Sequence, residues 1–275
     1  MPDFRSPTSV APLFSIVTVT LNPGEDLAKT VDSVLMQDFK DWELLIKDGG
    51  STDGTEELHW NDPRIRRHTS ADGGIFDAMN QALHLLRGQY VCFLNAGDLF
   101  YDKAVLSTVA DSIRENPDVP FFYGDVHKPQ SRSGFELYPD RLSRYFLFTQ
   151  MICHQSWFVG RETYLNYGGF ETEHPMGGDR RLMLKMLARD RGTYRRVPQV
   201  IVSYKGAGAS AGVRAREVTA DWANALKRRS FKPLEYRLYS LRWAARNTVK
   251  RCVYDPLLWR WWRRVRSHRH SQTER

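Results

Sequence analysis

Apolar and polar positions in the first hundred residues alternate between the period of a strand and the period of a helix. Residues 14–20 form a β-branched run of strand length, and apolar positions then recur at helical spacing over residues 27–35. Buried-type runs follow at residues 42–47 and 90–94, with a second helical pattern over residues 75–86 between them. This alternation predicts a parallel sheet with right-handed crossovers.

Each of these three strands runs into a polar loop. The loops are Asn22-Pro-Gly-Glu25, Asp48-Gly-Gly-Ser-Thr-Asp-Gly-Thr55 and Asn95-Ala-Gly-Asp98. Ligands of open α/β sheets bind where the carboxyl ends of the strands converge, so the loops predict the position of a functional site.

The pattern becomes less regular after the third loop. It predicts a helix over residues 104–115, a strand over residues 121–126 and an edge or loop region up to Arg144. A further strand is predicted over residues 151–159, and a helix over residues 179–188.

The C-terminal residues combine helical spacing with basic and aromatic side chains. Apolar residues recur at spacings of three and four over residues 231–249, while Arg242, Arg246 and Lys250 align on a different face. Residues 257–266 interleave three tryptophans with arginines. This composition is typical of a helix that lies in a membrane interface.

Charge separates this tail from the rest of the chain. Of the 40 Lys and Arg and the 32 Asp and Glu, 15 and three respectively lie in residues 227–275, so the tail carries +12 and the remainder −4. We therefore expect one large domain, residues 1–226, and a basic helical tail, residues 227–275. An anionic membrane surface is the favoured partner of the tail. The alternatives are docking on the domain and a dimer contact, and a nucleic-acid partner is not expected.

Cysteine usage and hydropathy bear on the cellular setting. The three cysteines are scattered without CxxC spacing, which favours a reducing, cytoplasmic compartment. The apolar stretch from Val10 to Leu21 contains Pro12 and Ser15 and is interpreted as a strand rather than a signal peptide. No stretch approaches the roughly 20 apolar residues that span a bilayer, so we expect no membrane crossing.

Four carboxylates lie at or near the predicted strand ends. They are Asp48, Asp53, Asp72 and Asp98, and none has an obvious cationic neighbour in the sequence. Clustered carboxylates repel one another unless a cation lies between them, and Mg²⁺ or Mn²⁺ prefers such oxygen ligands. The alternative is that Asp and Gly simply form these turns.

Four segments resemble family 2 glycosyltransferases in sequence and in order. They are Ile16-Val-Thr-Val-Thr-Leu-Asn22, Asp48-Gly-Gly-Ser-Thr-Asp-Gly-Thr55, Asp72-Gly-Gly-Ile-Phe-Asp-Ala-Met-Asn80 and Leu94-Asn-Ala-Gly-Asp98. The chain is most similar to the subgroup of bacterial extracellular polysaccharide assembly, including the colanic-acid type, whose members carry a pair like His154-Gln155. The resemblance extends over residues 13–212.

The resemblance implies a GT-A fold, an α/β architecture with a mostly parallel sheet flanked by helices. Its nucleotide-binding half would cover residues 13–100 and its acceptor half residues 101–226. The implied activity is inverting transfer of a sugar from a nucleotide-diphosphate donor, with a UDP-sugar favoured, to a hydroxyl of a glycan acceptor. The implied cofactor is Mn²⁺ or Mg²⁺. The basic tail, which lies outside the resemblance, adds the expected location at the inner face of the cell membrane, and a lipid-linked acceptor would explain why an enzyme needs it.

The resemblance also implies roles for single residues. Nucleotide contacts are implied for Thr20, Asn22, Asp48, Gly50, Asp53, Asp72 and Asn95. Asp98 matches the last acid of the metal-binding element, and Asp179 matches the general base. Asp is also a preferred helix cap, so Asp179 could instead cap the helix that follows it.

Two further pairs carry open alternatives. His154 and Gln155 are placed where side chains bind sugar hydroxyls, although a histidine in a strand is commonly structural. Arg180 and Arg181 are expected either to bind an anionic group of the acceptor or to form a solvated pair at a helix end.

Two other functions compete with the glycosyltransferase interpretation. A sugar-nucleotide nucleotidyltransferase should carry a Gly-rich loop with a basic residue after the first strand, and Asn22-Pro-Gly-Glu25 has none. A glycan- or RNA-binding protein on the same fold would need no catalytic residues, because a fold alone does not determine function.

Overall fold

The computed structural model describes residues 11–173, 177–206 and 227–254. They fall into two compact units, one within residues 1–226 and one within residues 227–275. The first unit is an α/β domain built on a nine-stranded sheet with the order β3-β2-β1-β4-β8-β6-β9-β5, and β7 pairs with β6. The strands are β1 (Phe14–Thr20), β2 (Trp42–Asp48), β3 (Ile65–Thr69), β4 (Tyr90–Phe93), β5 (Leu99–Phe100), β6 (Phe121–His127), β7 (Phe135–Glu136), β8 (Trp157–Gly160) and β9 (Arg195–Ser203).

Strand direction divides the sheet into two parts. Strands β3, β2, β1 and β4 are parallel neighbours, as the β-α-β pattern predicts. Strand β8 is antiparallel to both β4 and β6, whereas β6 and β9 form a second parallel pair. The sheet is therefore mixed, and its parallel part ends in the three predicted loops.

Helices connect the strands. They are α1 (Asp26–Leu35), α2 (Ile75–Leu83), α3 (Val105–Glu115), α4 (Arg144–Thr149), α5 (Arg161–Asn166) and α6 (Gly178–Met183), and a π-helical turn, Leu184–Arg189, continues α6. Short 3₁₀ turns occur at Thr55–Glu57 and His154–Ser156. The core lies between sheet and helices: Phe14, Ile16 and Phe158 on the strands and Leu27 and Val31 on α1 are completely buried.

The predicted strand over residues 151–159 is wrong in its first half. Residues 151–153 are irregular, and the 3₁₀ turn precedes β8. The Ser156 N–H and hydroxyl both donate to the Cys153 carbonyl oxygen, at 3.0 and 2.8 Å, and so close the turn. Because serine can bond to nearby backbone in this way, a run of mostly apolar residues does not become extended here.

The sequence pattern does not predict β3. Its residues, Ile-Arg-Arg-His-Thr, show no apolar alternation, because β3 is the outermost strand in the order and its side chains are partly exposed. Residues 65–69 form a strand because they pair with β2, although their own sequence pattern does not indicate one.

The second unit contains α7 (Pro233–Tyr254), which covers most of the predicted amphipathic helix. Leu234, Leu238 and Leu241 lie on one face of α7 and are all exposed. The predicted aromatic and basic segment of residues 257–266 lies outside the described residues. Among the helices of the described residues, none combines the length and the apolar composition of a membrane span.

Candidate active site

The carboxyl ends of β2, β1 and β4 bring most of the predicted nucleotide-binding residues to one edge. Thr20 at the end of β1 is in register with Asp48 at the end of β2. Strand β1 also pairs with β4, which leads into the loop of Asn95 and Asp98. Three segments that are distant in the sequence are therefore neighbours at this edge, as the loop pattern predicts.

Hydrogen bonds hold the loop after β2 in one conformation. Asp48 Oδ1 accepts from the N–H groups of Gly50 and Ser51, at 3.1 and 2.9 Å, and from the Ser51 hydroxyl at 2.7 Å. Asn22 joins this loop to the one after β1, because its N–H donates to Ser51 Oγ and its Oδ1 accepts from the Thr52 N–H, both at 2.8 Å.

Asp53 also joins the loop after β2 to the loop after β1, on the solvent-exposed side. Its Oδ2 accepts from the Gly24 N–H at 2.7 Å, and its Oδ1 accepts from the Thr55 N–H at 3.2 Å. Hydrogen bonds from Thr55 and from Gly24 lower the pKa of Asp53. The carboxylate therefore remains ionised where the loops approach one another.

Three buried polar atoms at this edge have no hydrogen-bond partner among the described residues: Thr20 Oγ1, Asp48 Oδ2 and Asn95 Oδ1. Buried polar atoms are nearly always hydrogen-bonded, and each one left unpaired costs about 1–3 kcal/mol. All three can accept hydrogen bonds, and all three belong to residues predicted to bind a nucleotide. We name Thr20, Asp48 and Asn95 the carboxyl-end cluster.

Asp72 has a cationic partner that the sequence analysis missed. Lys47 is completely buried, and its Nζ lies 2.9 Å from Asp72 Oδ2 and 2.6 Å from the Ser70 carbonyl oxygen. The Gly74 N–H donates to Asp72 Oδ1 at 3.1 Å. Asp72 therefore has a cationic partner that was not obvious in the sequence, and a lysine that interrupts an apolar strand was the available signal.

Asp98 is held deeply in the domain, with 4% of its surface exposed. Its Oδ1 accepts from the Lys205 N–H and its Oδ2 from Gln155 Nε2, both at 2.9 Å. Burial raises the pKa of the Asp98 carboxyl, and these hydrogen bonds oppose the shift only in part.

The donor atoms near Asp98 fit a divalent cation in kind but do not form a complete site. Among the described residues, no three His, Cys, Asp or Glu side chains form a group that could hold a metal ion. Each Asp98 oxygen accepts one protein hydrogen bond and so keeps a second acceptor position, because an ionised carboxylate has about four. One protein carboxylate suits Mg²⁺ or Mn²⁺ where substrate phosphates complete the coordination.

Asp179 lies in the first turn of α6 and faces the same region. The helix cap is Gly177 at φ +80°, without a side-chain cap, so the alternative role of Asp179 as an N-cap is wrong. Asp179 Oδ2 lies 3.0 Å from His154 Nδ1, and Oδ1 accepts from the Arg180 N–H at 2.8 Å. His154 Nε2 in turn lies 3.3 Å from Asn95 Nδ2, so one imidazole ring connects Asp179 to the carboxyl-end cluster.

The two arginines after Asp179 are not a solvated pair, so that alternative is wrong. Arg181 is 6% exposed and forms an ion pair with Glu171, which also pairs with Lys185 at 2.7 Å. Burial lowers the pKa of Arg180, whose Nη2 donates to the Phe148 carbonyl oxygen at 3.1 Å. Its buried Nε has no partner within the described segments. Arg180 therefore fits the binding of an anionic group better than Arg181.

Known proteins resemble this chain in sequence and in fold. Residues 15–170 match the family described as "Glycosyl transferase family 2". The chain is 33% identical over 205 residues to a Mycobacterium bovis PGL/p-HBAD biosynthesis glycosyltransferase, a match that covers 72% of this chain and 78% of the relative.

Two solved structures have a similar fold. One is S. aureus TarS 1–349 in complex with UDP-GlcNAc, with a TM-score of 0.64, 17% identity and coverage of 82% of this chain and 70% of that one. The other is the mannosyltransferase PcManGT from Pyrobaculum calidifontis in complex with GDP-Man and Mn²⁺, with a TM-score of 0.59, 19% identity and coverage of 80% and 65%. The fold is that of the GT-A glycosyltransferases, and the chain belongs to glycosyl transferase family 2.

Proposed function

We propose that the protein is an inverting glycosyltransferase that moves a sugar from a nucleoside diphosphate donor to a hydroxyl of a glycan acceptor. The observation that carries the proposal is the carboxyl-end cluster. Its three unpartnered acceptors are available for hydrogen bonds from a ligand with N–H and O–H donors. A nucleoside offers such donors on its base and ribose. UDP is the favoured nucleotide, since the TarS structure of similar fold holds UDP-GlcNAc.

In this proposal Asp179 is the general base. An oxygen lone pair of the acceptor hydroxyl forms a bond to the anomeric carbon, and the bond from that carbon to the β-phosphate oxygen breaks. Its electron pair leaves with the diphosphate, and the hydroxyl proton moves to the Asp179 carboxylate. Attack from the face opposite the leaving group inverts the anomeric centre. The short path from Asn95 through His154 to Asp179 supports a base beside the nucleotide.

A divalent cation is proposed to bind together with the donor. When bound, it would neutralise the negative charge that develops on the β-phosphate. Asp98 would hold it with one carboxylate ligand, while the Lys205 N–H and Gln155 keep that carboxylate in place. The Mn²⁺ in the PcManGT complex supports this choice of ion.

A thermal-shift screen of UDP, GDP, dTDP and CMP, each with and without Mn²⁺, tests the donor. A ligand at a hundred times its Kd adds about 2.7 kcal/mol to the free energy of unfolding. We expect one nucleoside diphosphate to raise the melting temperature, and Asp48→Ala to reduce the shift. Absence of a shift with every nucleotide would instead favour a glycan- or RNA-binding protein on the same fold.

The acceptor is proposed to be lipid-linked, with the protein bound to the inner face of the cell membrane. The exposed leucines of α7 support this, because Arg237 and Arg242 flank them on either side of the helix. Each basic residue near an anionic lipid surface contributes about 1 kcal/mol to binding.

Sedimentation with lipid vesicles tests the membrane proposal. We expect the protein to sediment with vesicles containing phosphatidylglycerol and to remain in solution with pure phosphatidylcholine. Leu241→Glu should reduce sedimentation, whereas Leu137→Glu, at a leucine of the first unit with nearly the same exposure, should not. Equal loss in both variants, or none in either, would contradict a role of α7 in membrane binding.

A further inference from the structure

The 3₁₀ turn of His154–Ser156 connects two carboxylates that come from different parts of the chain. Gln155 Nε2 donates to Asp98 Oδ2 at 2.9 Å, and His154 Nδ1 lies 3.0 Å from Asp179 Oδ2. Asp98 follows β4, whereas Asp179 belongs to α6. Two consecutive side chains of one short turn therefore contact both carboxylates of the proposed mechanism.

Gln155 is engaged at both ends of its amide. Its Oε1 accepts from Cys153 Sγ at 2.8 Å, its Nε2 donates to Asp98, and only 4% of the residue is exposed. A side chain held in this way fits the support of Asp98 better than the predicted contact with a sugar hydroxyl.

His154 satisfies both of its neighbours in one neutral tautomer. Asn95 Nδ2 is a donor, so His154 Nε2 is the acceptor of that pair. The proton then resides on Nδ1, where it donates to Asp179 Oδ2. With the Arg180 N–H on Oδ1, each Asp179 oxygen accepts one hydrogen bond and keeps an acceptor position for the proton of the attacking hydroxyl.

We propose that His154 is a positioning residue for Asp179 and does not bind the sugar. Its Nδ1–H fixes the Asp179 carboxylate, while Gln155 fixes Asp98, so that the turn sets the distance between the acceptor side and the leaving-group side of the reaction. This inference rests on the proposed function, in which Asp179 is the base.

The first test is spectroscopic and needs no substrate. Long-range ¹H–¹⁵N correlation spectra of the imidazole distinguish the two neutral tautomers, and assignment follows from the peak lost in His154→Ala. We expect the Nδ1–H tautomer in the wild-type protein. In Asp179→Ala the Nδ1–H loses its acceptor while Asn95 still donates to Nε2, so we expect a displaced Nδ1 resonance in the same tautomer. An Nε2–H tautomer in the wild-type protein, or an unchanged spectrum in Asp179→Ala, would overturn the inference.

The second test uses two substitutions, each of which retains a polar group near one of the two ring nitrogens of His154. Asn can place an N–H donor near the position of Nδ1, whereas Gln extends towards the position of Nε2. The readout is release of the nucleoside diphosphate at saturating donor, with water as the acceptor. We expect His154→Asn to stay within about threefold of wild type, and His154→Gln and His154→Ala to fall about tenfold or more, because small displacements of a catalytic group reduce rates. The donor KM should change less than twofold.

The reverse order, with Gln more active than Asn, or a raised donor KM at unchanged kcat, would identify His154 as a sugar ligand and overturn the inference. Asp179→Asn separates this failure from failure of the proposed function. If Asp179→Asn is inactive while His154→Ala matches wild type, only the positioning role is lost. If Asp179→Asn keeps full turnover, Asp179 is not the base and the proposed mechanism falls as well.

Discussion

At the two ends of the same parallel strands, the buried acceptor side chains differ in their hydrogen bonding. At the amino ends, Glu43 is 1% exposed, and its carboxylate accepts hydrogen bonds from the Ser15 hydroxyl, the Arg87 N–H and Nε, and Arg66 Nη2, at 2.6 to 2.9 Å. At the carboxyl ends, the carboxyl-end cluster leaves three buried acceptors without partners in the described chain.

This difference distinguishes polar groups that stabilise the fold from polar groups that are available to bind a ligand. We name Ser15, Glu43, Arg66, Arg87 and Gly88 the amino-end network. Its carboxylate is fully satisfied within the protein, so its loss should reduce stability and leave ligand binding intact. The unused acceptor positions of the carboxyl-end cluster and of Asp179 contribute nothing to folding, so their removal should reduce ligand binding or turnover and leave stability intact.

The largest expected effect is on turnover, at Asp179. Asp179→Asn keeps the size of the side chain but removes the proposed proton acceptor, so we expect kcat to fall about 10²- to 10⁴-fold. The nucleotide-induced thermal shift should remain. Asp190→Asn, at an exposed carboxylate paired with Arg189, is the matched control and should keep wild-type kcat. Loss of folding in Asp179→Asn would place Asp179 with the structural groups instead.

Next comes the stability of the amino-end network. Glu43→Gln removes the buried charge that Arg66 and Arg87 share, and we expect the free energy of unfolding to fall by about 3 kcal/mol. Urea denaturation measures this loss. The nucleotide-induced thermal shift should be retained, and its disappearance in a variant that remains folded would break the division between the two ends.

A smaller effect appears in the pH dependence of stability. Burial alone would raise the pKa of Glu43, but hydrogen bonds from Ser15, Arg87 and Arg66 outweigh it and hold the pKa below its usual range. The stability contributed by ionised Glu43 is therefore present above the unfolded-state pKa and is lost as the pH falls through the folded-state value. Urea unfolding between pH 3 and pH 6 should show a shallower acid dependence in Glu43→Gln than in the wild-type protein. Equal slopes would contradict the assignment.

The sequence predicted which residues the candidate site brings together, because their signals are local. The β-branched runs of β1, β2 and β4 each end in a polar loop, and the rule that parallel strands end at one edge brings Thr20, Asp48 and Asn95 together. The position of Asp179 near a helix start was likewise visible in the spacing of the apolar residues that follow it.

Pairings between distant elements could not be predicted in this way. Lys47 and Asp72 lie on opposite sides of β3 in the sequence, and His154 and Asp179 are separated by β8 and α5. Periodicity reports which face of an element is buried, but it does not report which polar group on another element lies opposite. Lys47 shows the same limit, because its place within an apolar strand indicates that it is buried but not which carboxylate pairs with it.

The smallest effects give the sharpest comparison, because they concern one hydroxyl at each end of β1. Ser15 Oγ donates to Glu43 and accepts from the Gly88 N–H at 2.8 Å, whereas Thr20 Oγ1 has no partner in the described chain. Ser15→Ala leaves a buried N–H and a carboxylate short of one bond each, so we expect a loss of about 1–3 kcal/mol in the free energy of unfolding. Thr20→Val removes an unpaired hydroxyl at nearly constant shape and should leave stability equal or slightly higher.

Urea unfolding of both variants, with nucleotide titration in parallel, measures the contrast. Thr20→Val should weaken nucleotide binding about fivefold, the loss expected for one neutral hydrogen bond, whereas Ser15→Ala should not weaken it. Equal destabilisation by both substitutions would mean that Thr20 Oγ1 is bonded within the folded protein, and the two ends of the sheet would no longer differ in this respect.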